Sequence, residues 1–323
     1  MLERIEQMKV RFRTSSPDDA RVLEAAKSQE DLERTYELLL QRARERLAKA
    51  LGKKPEELND SDQSPVIALK EDLYNNLINA RGDDIEAQLH VVLDGLQRLK
   101  GMDQDDAYLV AAQVLMMGAL AIGSGAVAAT QSALLGGYTV AAAVYFGVQT
   151  ATVEIVCALA ALLVLLIVVP IIYYMKKPAL CLVLVINEMD NQIDWVEDYN
   201  VHGKPTLHFP SLPGGTIIPG YTVVKAGFVA TQKRDNALQG TQYGFTYQLG
   251  GTNLVYGVTC PLVIGDNAGY CQIGGDAQQV AEQVDSQGSL YSEAKRGPLT
   301  TSIRCNSGSG SVAYYVARAF QND

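Results

Sequence analysis

From Ala107 to Val153 no side chain carries a formal charge, and after Glu154 a second uncharged run extends to Met175, where Lys176 and Lys177 close it. That much apolar surface has to be buried in protein or placed in lipid. A helix crosses a ~30 Å hydrocarbon layer with ~20 residues, so the block holds up to three spans. Natural subdivisions are 107–130, 133–152 and 155–175, with Gly136 and Gly137 at a bend or hairpin tip. Only 155–175 has the Leu, Val and Ile density of a transmembrane segment, and Pro170 is expected to end its helix. The first two segments are rich in Ala, Gly, Ser and Thr. Small residues allow close helix approach in a bilayer and serve a tight hairpin inside a soluble bundle equally well.

Leu109, Val110, Leu115, Leu120, Val127, Leu134, Val140, Val144, Phe146, Leu159, Leu162, Leu166 and Val169 are the apolar positions expected to meet lipid if the block inserts. Gln113, Gln131, Gln149 and Glu154 are the polar exceptions, expected at a lumen or at a boundary between helices. An ionised carboxylate in lipid costs roughly 2.5–3.5 kcal/mol. Glu154 therefore needs water, a partner or a helix start, where Thr152 offers a cap and the helix dipole favours negative charge.

The rest of the chain is polar and acidic. Residues 1–106 hold 17 Lys/Arg against 23 Asp/Glu, and 178–323 hold 8 against 12. Such a balance removes the electrostatic footprint of a nucleic-acid binder. The opening "MLERIEQMKVRF" lacks a basic region followed by an apolar one, so a non-classical secretion or injection route is the expectation. Residues 1–106 read as an amphipathic helical domain of four or five helices. Leu32, Leu38, Leu39, Leu40 and Leu47 form a stripe, Ser64-Pro65 start a helix, and Gly82 and Gly101 stop others. His90, among Leu89, Val91 and Val92, reads as a half-buried structural histidine.

After Pro178 the period becomes two. "ALCLVLVINEMD" reads as a strand and "NQIDWVEDYNVHGKP" as turn-rich. "TIIPGYTVVKAGFVATQ", "GTQYGFTYQL", "TNLVYGVTCPLVIG", "YCQIGG", "LTTSIRCNS" and "SVAYYVARAF" read as further strands. "DAQQVAEQV" is the one helix-like insert, and "NSGSGS" the loop of the last hairpin. Six to eight short strands indicate an antiparallel sandwich.

Chemical motifs are sparse. Gly123 to Ala128, "GSGAVA", matches a dinucleotide fingerprint but lacks both a preceding strand pattern and an acid about 20 residues on. His202 and His208 lie near Asp194, Glu197 and Asp198, which reads as a polar turn rather than a metal site. Cys157 and Cys181 read as core thiols, and Cys260 and Cys271 as a reduced pair. No enzyme, metal or cofactor is expected. Trp195, the single tryptophan, and Tyr199 are either lipid-interface aromatics or, for the indole, a plug at one end of the sandwich.

An amphipathic helical domain, a long uncharged block and a C-terminal sandwich together resemble the α-pore-forming toxin architecture. The stretch "VINEMDNQIDWVEDYNVHGKPTLHFPSLPGGTIIPGYTVVKAGF", followed by "GTQYGFTYQL", resembles the actinoporin-like and aegerolysin type of membrane-binding sandwich. The likeness rests on an Asn after the first strand, an "HGK" turn, a Pro-Gly step and a Gly-aromatic strand. True actinoporins insert an N-terminal amphipathic helix, whereas here the apolar run is internal.

The expected fold class is α+β multidomain: an N-terminal α-helical bundle (1–106), a central hydrophobic helical hairpin within a membrane-insertion segment (107–177), and a C-terminal antiparallel β-sandwich (178–323). The resemblance implies a lipid membrane as partner, a lipid headgroup or surface receptor for the sandwich, and a homo-oligomer in the membrane. Three readings stay open: a pore-forming toxin, an integral membrane protein with two or three spans, and a soluble structural or adaptor protein.

Overall fold

The computed structural model describes residues 2–58, 65–100, 119–123, 150–174, 179–214, 223–234 and 237–322. Their contacts divide them into two units, Met1–Ala68 with Val91–Tyr174, and Leu69–His90 with Met175–Asp323. The chain is thus α+β and multidomain, with an N-terminal helical region and a C-terminal two-sheet β domain.

In the first unit, α1 (Leu2–Ser15), α2 (Pro17–Glu24) and α3 (Gln29–Ala50) are amphipathic. Pro17 opens α2, where its missing N–H costs nothing. Ser28 caps α3 by accepting from the Asp31 N–H at 3.1 Å. Met8, Phe12, Leu23, Leu39 and Leu47 point inward. Leu38, expected on the same stripe, is exposed, because at about 100° per residue three consecutive leucines cannot share one face.

Two helix expectations are corrected. Ser64-Pro65 does not open a helix: Pro65–Lys70 is a strand, β1, and α4 (Glu71–Asn79) starts after it. Val66 and Ile67 favour extended backbone, and proline is tolerated at a strand's first residue. Within the first expected apolar helix, Ala119–Gly123 forms β2 beside β1. A short apolar run carries no period of its own, so a strand partner decides. Gly82, at φ +55°, separates α4 from α5 (Asp83–Lys100). The remainder of the expected hairpin, 107–118 and 124–149, lies outside the described residues.

The apolar helix α6 (Thr150–Leu163) continues through Val164–Val168 and Pro170–Tyr174 in wider π-helical turns. Pro170 was expected to end it. Instead the Val169 N–H reaches back five residues to the Val164 carbonyl. Such a turn gives the proline ring room and tolerates its missing donor.

The second unit begins its sandwich with β3 (Leu180–Asn187), β4 (Ile193–His202), β5 (Lys204–Leu207), β6 (Ser211–Leu212) and β7 (Val223–Gln232). It continues with β8 (Thr241–Leu249), β9 (Thr252–Cys260) and β10 (Ala268–Ile273). After α7 (Ala277–Gln287) come β11 (Tyr291–Arg296), β12 (Leu299–Cys305) and β13 (Val312–Gln321). Within this unit one sheet runs β11-β12-β13-β3-β7, with β5 on β7, and the other β10-β9-β8-β4-β6. All of these pairs are antiparallel except β3 with β13, which is parallel. Trp195 therefore lies in a ten-residue strand rather than a turn. The strand read through "TCPLVIG" stops at Cys260, before Pro261 and its absent N–H.

The two sheets face each other through Tyr247, Phe245, Tyr256, Val183 and Tyr315, all fully buried. Each of three tyrosines answers the cost of a buried hydroxyl. Tyr247 donates to the Phe209 carbonyl at 2.8 Å, Tyr256 to that of Arg318 at 3.1 Å, and Tyr315 to that of Thr259 at 2.7 Å. On the outer side of the first sheet, Arg304 donates to the Ile78 carbonyl at 2.9 Å, and Tyr74 to Glu188 at 2.8 Å. Glu188 also takes both arms of the Arg318 guanidinium, at 2.6 and 2.8 Å. His90 sits 3.3 Å from the Tyr314 hydroxyl, the structural role expected of it.

On the outer side of the second sheet lies α7. Gly244 and Gly257 are paired directly across β8 and β9. A Cβ on Gly244 would stand 2.1 Å from the Ala277 carbonyl oxygen, and one on Gly257 2.6 Å from that of Val280. This glycine pair is the seat of the helix. Gly244→Ala or Gly257→Ala is expected to lift α7 and cost about 1–3 kcal/mol. Urea unfolding followed by Trp195 fluorescence checks this, as a lowered midpoint at unchanged slope.

Candidate functional site

In the first unit the apolar helix is enclosed. Cys157–Tyr174 has the length and composition to cross a membrane and is mostly buried. Leu159, Leu162 and Val169 are inaccessible and Leu166 is partly exposed. Contacts with α1 and α3 cover it. Phe12 meets the Tyr173 ring edge-on at 6.1 Å, and Tyr36 meets Tyr174 at 5.3 Å. Polar ties fasten the helix end: the Tyr173 hydroxyl donates to Glu24 at 3.1 Å and Tyr174 to the Leu32 carbonyl at 3.0 Å. Glu154 is half-buried, one turn into α6.

The coat is itself pinned by charge. Lys100 pairs with Asp19 and stands 5.0 Å over the Phe12 ring, and Arg11 pairs with Asp94. Burial lowers the Lys100 pKa against the pull of Asp19. Gln97 donates to the Met8 carbonyl at 3.3 Å. Of the other positions expected to insert or to line a lumen, Leu120 falls in β2. Leu109, Val110, Gln113, Leu115, Val127, Gln131, Leu134, Val140, Val144, Phe146 and Gln149 lie outside the described residues.

In the second unit, β4 places Trp195 opposite Tyr247 on the inner face. Its indole stacks on His208 at 4.3 Å and Phe245 at 5.7 Å, and meets Tyr247 edge-on at 5.3 Å. Burial lowers the His208 pKa, with Asp198 pulling the other way. Tyr199 is on the surface of the same strand, 37% exposed.

The other end of the sheet looks different. Thr241 pairs with Cys260, so the segment before β8 and the loop after β9 emerge side by side. Leu238 on the first is 89% exposed, and Val263 and Ile264 on the second are 81% and 89% exposed. These tips line a cavity of about 430 Å³, whose wall also includes His202, the buried Thr241, Gln242 and Thr259, and the exposed Asp285. Sequence reasoning missed Val263 and Ile264 by assigning "PLVIG" to a strand. The available signal was Pro261, after which an unalternating apolar run has no sheet face to fill.

All five cysteines are free and buried. Cys271 lies opposite Tyr256, not beside Cys260. Burial pushes Cys271 and Cys305 up to about 11 and Cys181, which contacts Cys260, well above the ordinary thiol value. Among the described residues no three His, Cys, Asp or Glu side chains converge as a metal set.

Comparison of the sequence with known protein families and with curated proteins gives no match. Some solved structures distantly resemble the C-terminal half. The lipid-binding protein Nakanori is 12% identical, covering 45% of this chain and 72% of its own, with a TM-score of 0.37. RahU protein, solved in complex with a TRIS molecule, is 13% identical over 45% of this chain and 96% of its own, with a TM-score of 0.27. The Xerocomus chrysenteron lectin XCL is 9% identical over 44% and 97%, with a TM-score of 0.28. At this distance the likeness assigns no residue a role.

One buried charge of this unit sets a pH dependence. Lys225, opposite Asn187, is 3% exposed and has no ion-pair partner among the described residues. Desolvation lowers its pKa to about 8. Between that value and the unfolded ~10.4 the unfolded chain holds more protons, so this lysine makes stability rise with pH across the window. Lys225→Met is expected to be more stable than the natural chain at neutral pH, by about 1–3 kcal/mol. Unfolding curves at increasing pH should show the gap closing as pH climbs through that window.

Proposed function

We propose that this chain is a membrane-active, pore-forming protein. Its β unit binds a target membrane and its apolar helices insert after the chains assemble. The observation that carries the reading is the enclosure of Cys157–Tyr174, long and apolar enough to span a bilayer, by amphipathic helices of the same chain. Those helices turn charged faces outward, which suits a state that is dispersed in water before it meets lipid. The uncharged 107–149 that precedes α6 supplies the small residues and glutamines of a pore wall.

In this reading the protein acts by binding and insertion rather than by catalysis. It leaves its producing cell by a non-classical secreted or injected route and ends in the membrane of a target cell. A lipid headgroup or surface receptor is its first partner, and copies of the same chain are its later ones.

Made without detergent, the full chain is expected to be soluble and to release a trapped dye from lipid vesicles. Cysteine pairs that fasten α6 to α3 should stop release under oxidising conditions and restore it on reduction. Detergent dependence from synthesis onward would instead mark a constitutive membrane protein. A soluble chain inert towards every vesicle would mark a structural one.

A further inference from the structure

The geometry points to the Leu238, Val263 and Ile264 loop tips as the part of the β unit that enters the bilayer interface, on a membrane whose surface carries no net negative charge. This rests on the membrane-active reading above and names where first contact is made. Three aliphatic side chains, each more than four-fifths exposed, project from two loops that the Thr241–Cys260 pairing holds side by side. Aliphatic tips of this kind need no matching shape and suit a fluid hydrocarbon edge. A protein interface instead draws on a broad patch anchored by Trp, Tyr or Arg.

Depth and charge agree. The same cavity wall carries the buried polar side chains of Thr241, Gln242 and Thr259, which lie inside the exposed apolar tips. That order of layers, apolar outermost and hydrogen-bonding groups next, matches a bilayer edge with headgroups outside hydrocarbon. Of the nearby cations Lys204, Lys233 and Arg234, two are held to backbone: Lys233 donates to the Ala237 carbonyl at 2.6 Å and Arg234 to that of Gly203 at 2.6 Å. Asp266 and Asp285 stand against these cations at the same end, and residues 178–323 as a whole hold 8 Lys/Arg against 12 Asp/Glu, so an anionic membrane gains no net attraction to this unit. Trp195, opposite Tyr247 rather than Thr241, lies six residues along β8, or about 20 Å from the loop end.

Sedimentation of the full chain with phosphatidylcholine vesicles tests this, with parallel vesicles in which part of the lipid is phosphatidylserine. Leu238→Asp and the double change Val263→Asp with Ile264→Asp are each expected to weaken binding by about tenfold or more, since each removes aliphatic side chains from the lipid. Tyr291→Ser, on the exposed face of β11, should leave it unchanged. Added salt or phosphatidylserine should not tighten binding. In a second measurement, brominated lipid should leave Trp195 emission unquenched, yet quench a tryptophan placed by Val263→Trp in a Trp195→Phe background.

Loop variants that bind as the natural chain does, quenching of Trp195, or binding confined to phosphatidylserine vesicles would each overturn the inference. Vesicle binding lost with the loop changes but never followed by dye release would leave the inference standing and sink the pore-forming reading. No binding to either vesicle sinks both.

Discussion

Between Cys157 and Tyr174 stand eleven Leu, Ile and Val side chains, and the burial of that helix governs the first unit. At about 1.5–3 kcal/mol for each such side chain, leaving it in water would forfeit roughly 15–30 kcal/mol. A domain's whole stability is only about 5–15 kcal/mol. The helix therefore has no accessible state bare in water: it is either inside its coat or inside another apolar medium. The helices α1 and α3 depend on the same contact, since Phe12 and Tyr36 take Tyr173 and Tyr174 as ring partners.

The second unit obeys a different constraint, close approach of backbone to backbone. Its sheets are filled by aromatic rings, and the hydroxyls of Tyr247, Tyr256 and Tyr315 end on carbonyls across the core, so those three rings are fixed in direction as well as buried. On the outer side of the second sheet, the Gly244–Gly257 pair lets α7 lie directly on β8 and β9. Glu197 accepts from the Ala277 N–H at 3.1 Å, and Asp276 from that of Gln279 at 2.9 Å, so the start of that helix is doubly satisfied. A rigid sandwich of this sort holds its end loops in fixed relation. Their exposed tips are thereby a property of the fold.

How far the sequence disclosed this follows from which signals are local. Helical periodicity in 29–50 and two-residue alternation after Pro178 gave the fold class, and "DAQQVAEQV" gave α7, because each pattern is written within one element. Pro65–Lys70 and Ala119–Gly123 were misread because a short apolar run has no period and its strand partner is distant in sequence. Pro170 was misread because the rule for proline assumes an α-turn, and the chain here widens to a π-turn. Trp195 was placed in a turn because its acidic neighbours resemble loop composition, although β4 presents them to solvent from a strand. Exposure of Leu238, Val263 and Ile264 could not be read at all from hydropathy, which marks them as core.

The two apolar features differ in size, and size decides how each is kept. Three exposed aliphatic tips cost a folded chain little, since isolated surface apolar groups are normal in dispersed proteins. Eleven on one helix would drive aggregation unless covered. A chain that must stay dispersed and still reach hydrocarbon can thus leave only the smaller feature outside. The larger one requires a coat that binds it well enough to hold in water and gives it up when lipid offers an equal burial. Charged pairs such as Lys100 with Asp19 suit that coat. They fix the helices against one another without adding apolar affinity for α6, so the strength of the coat and its grip on the helix are set by different residues.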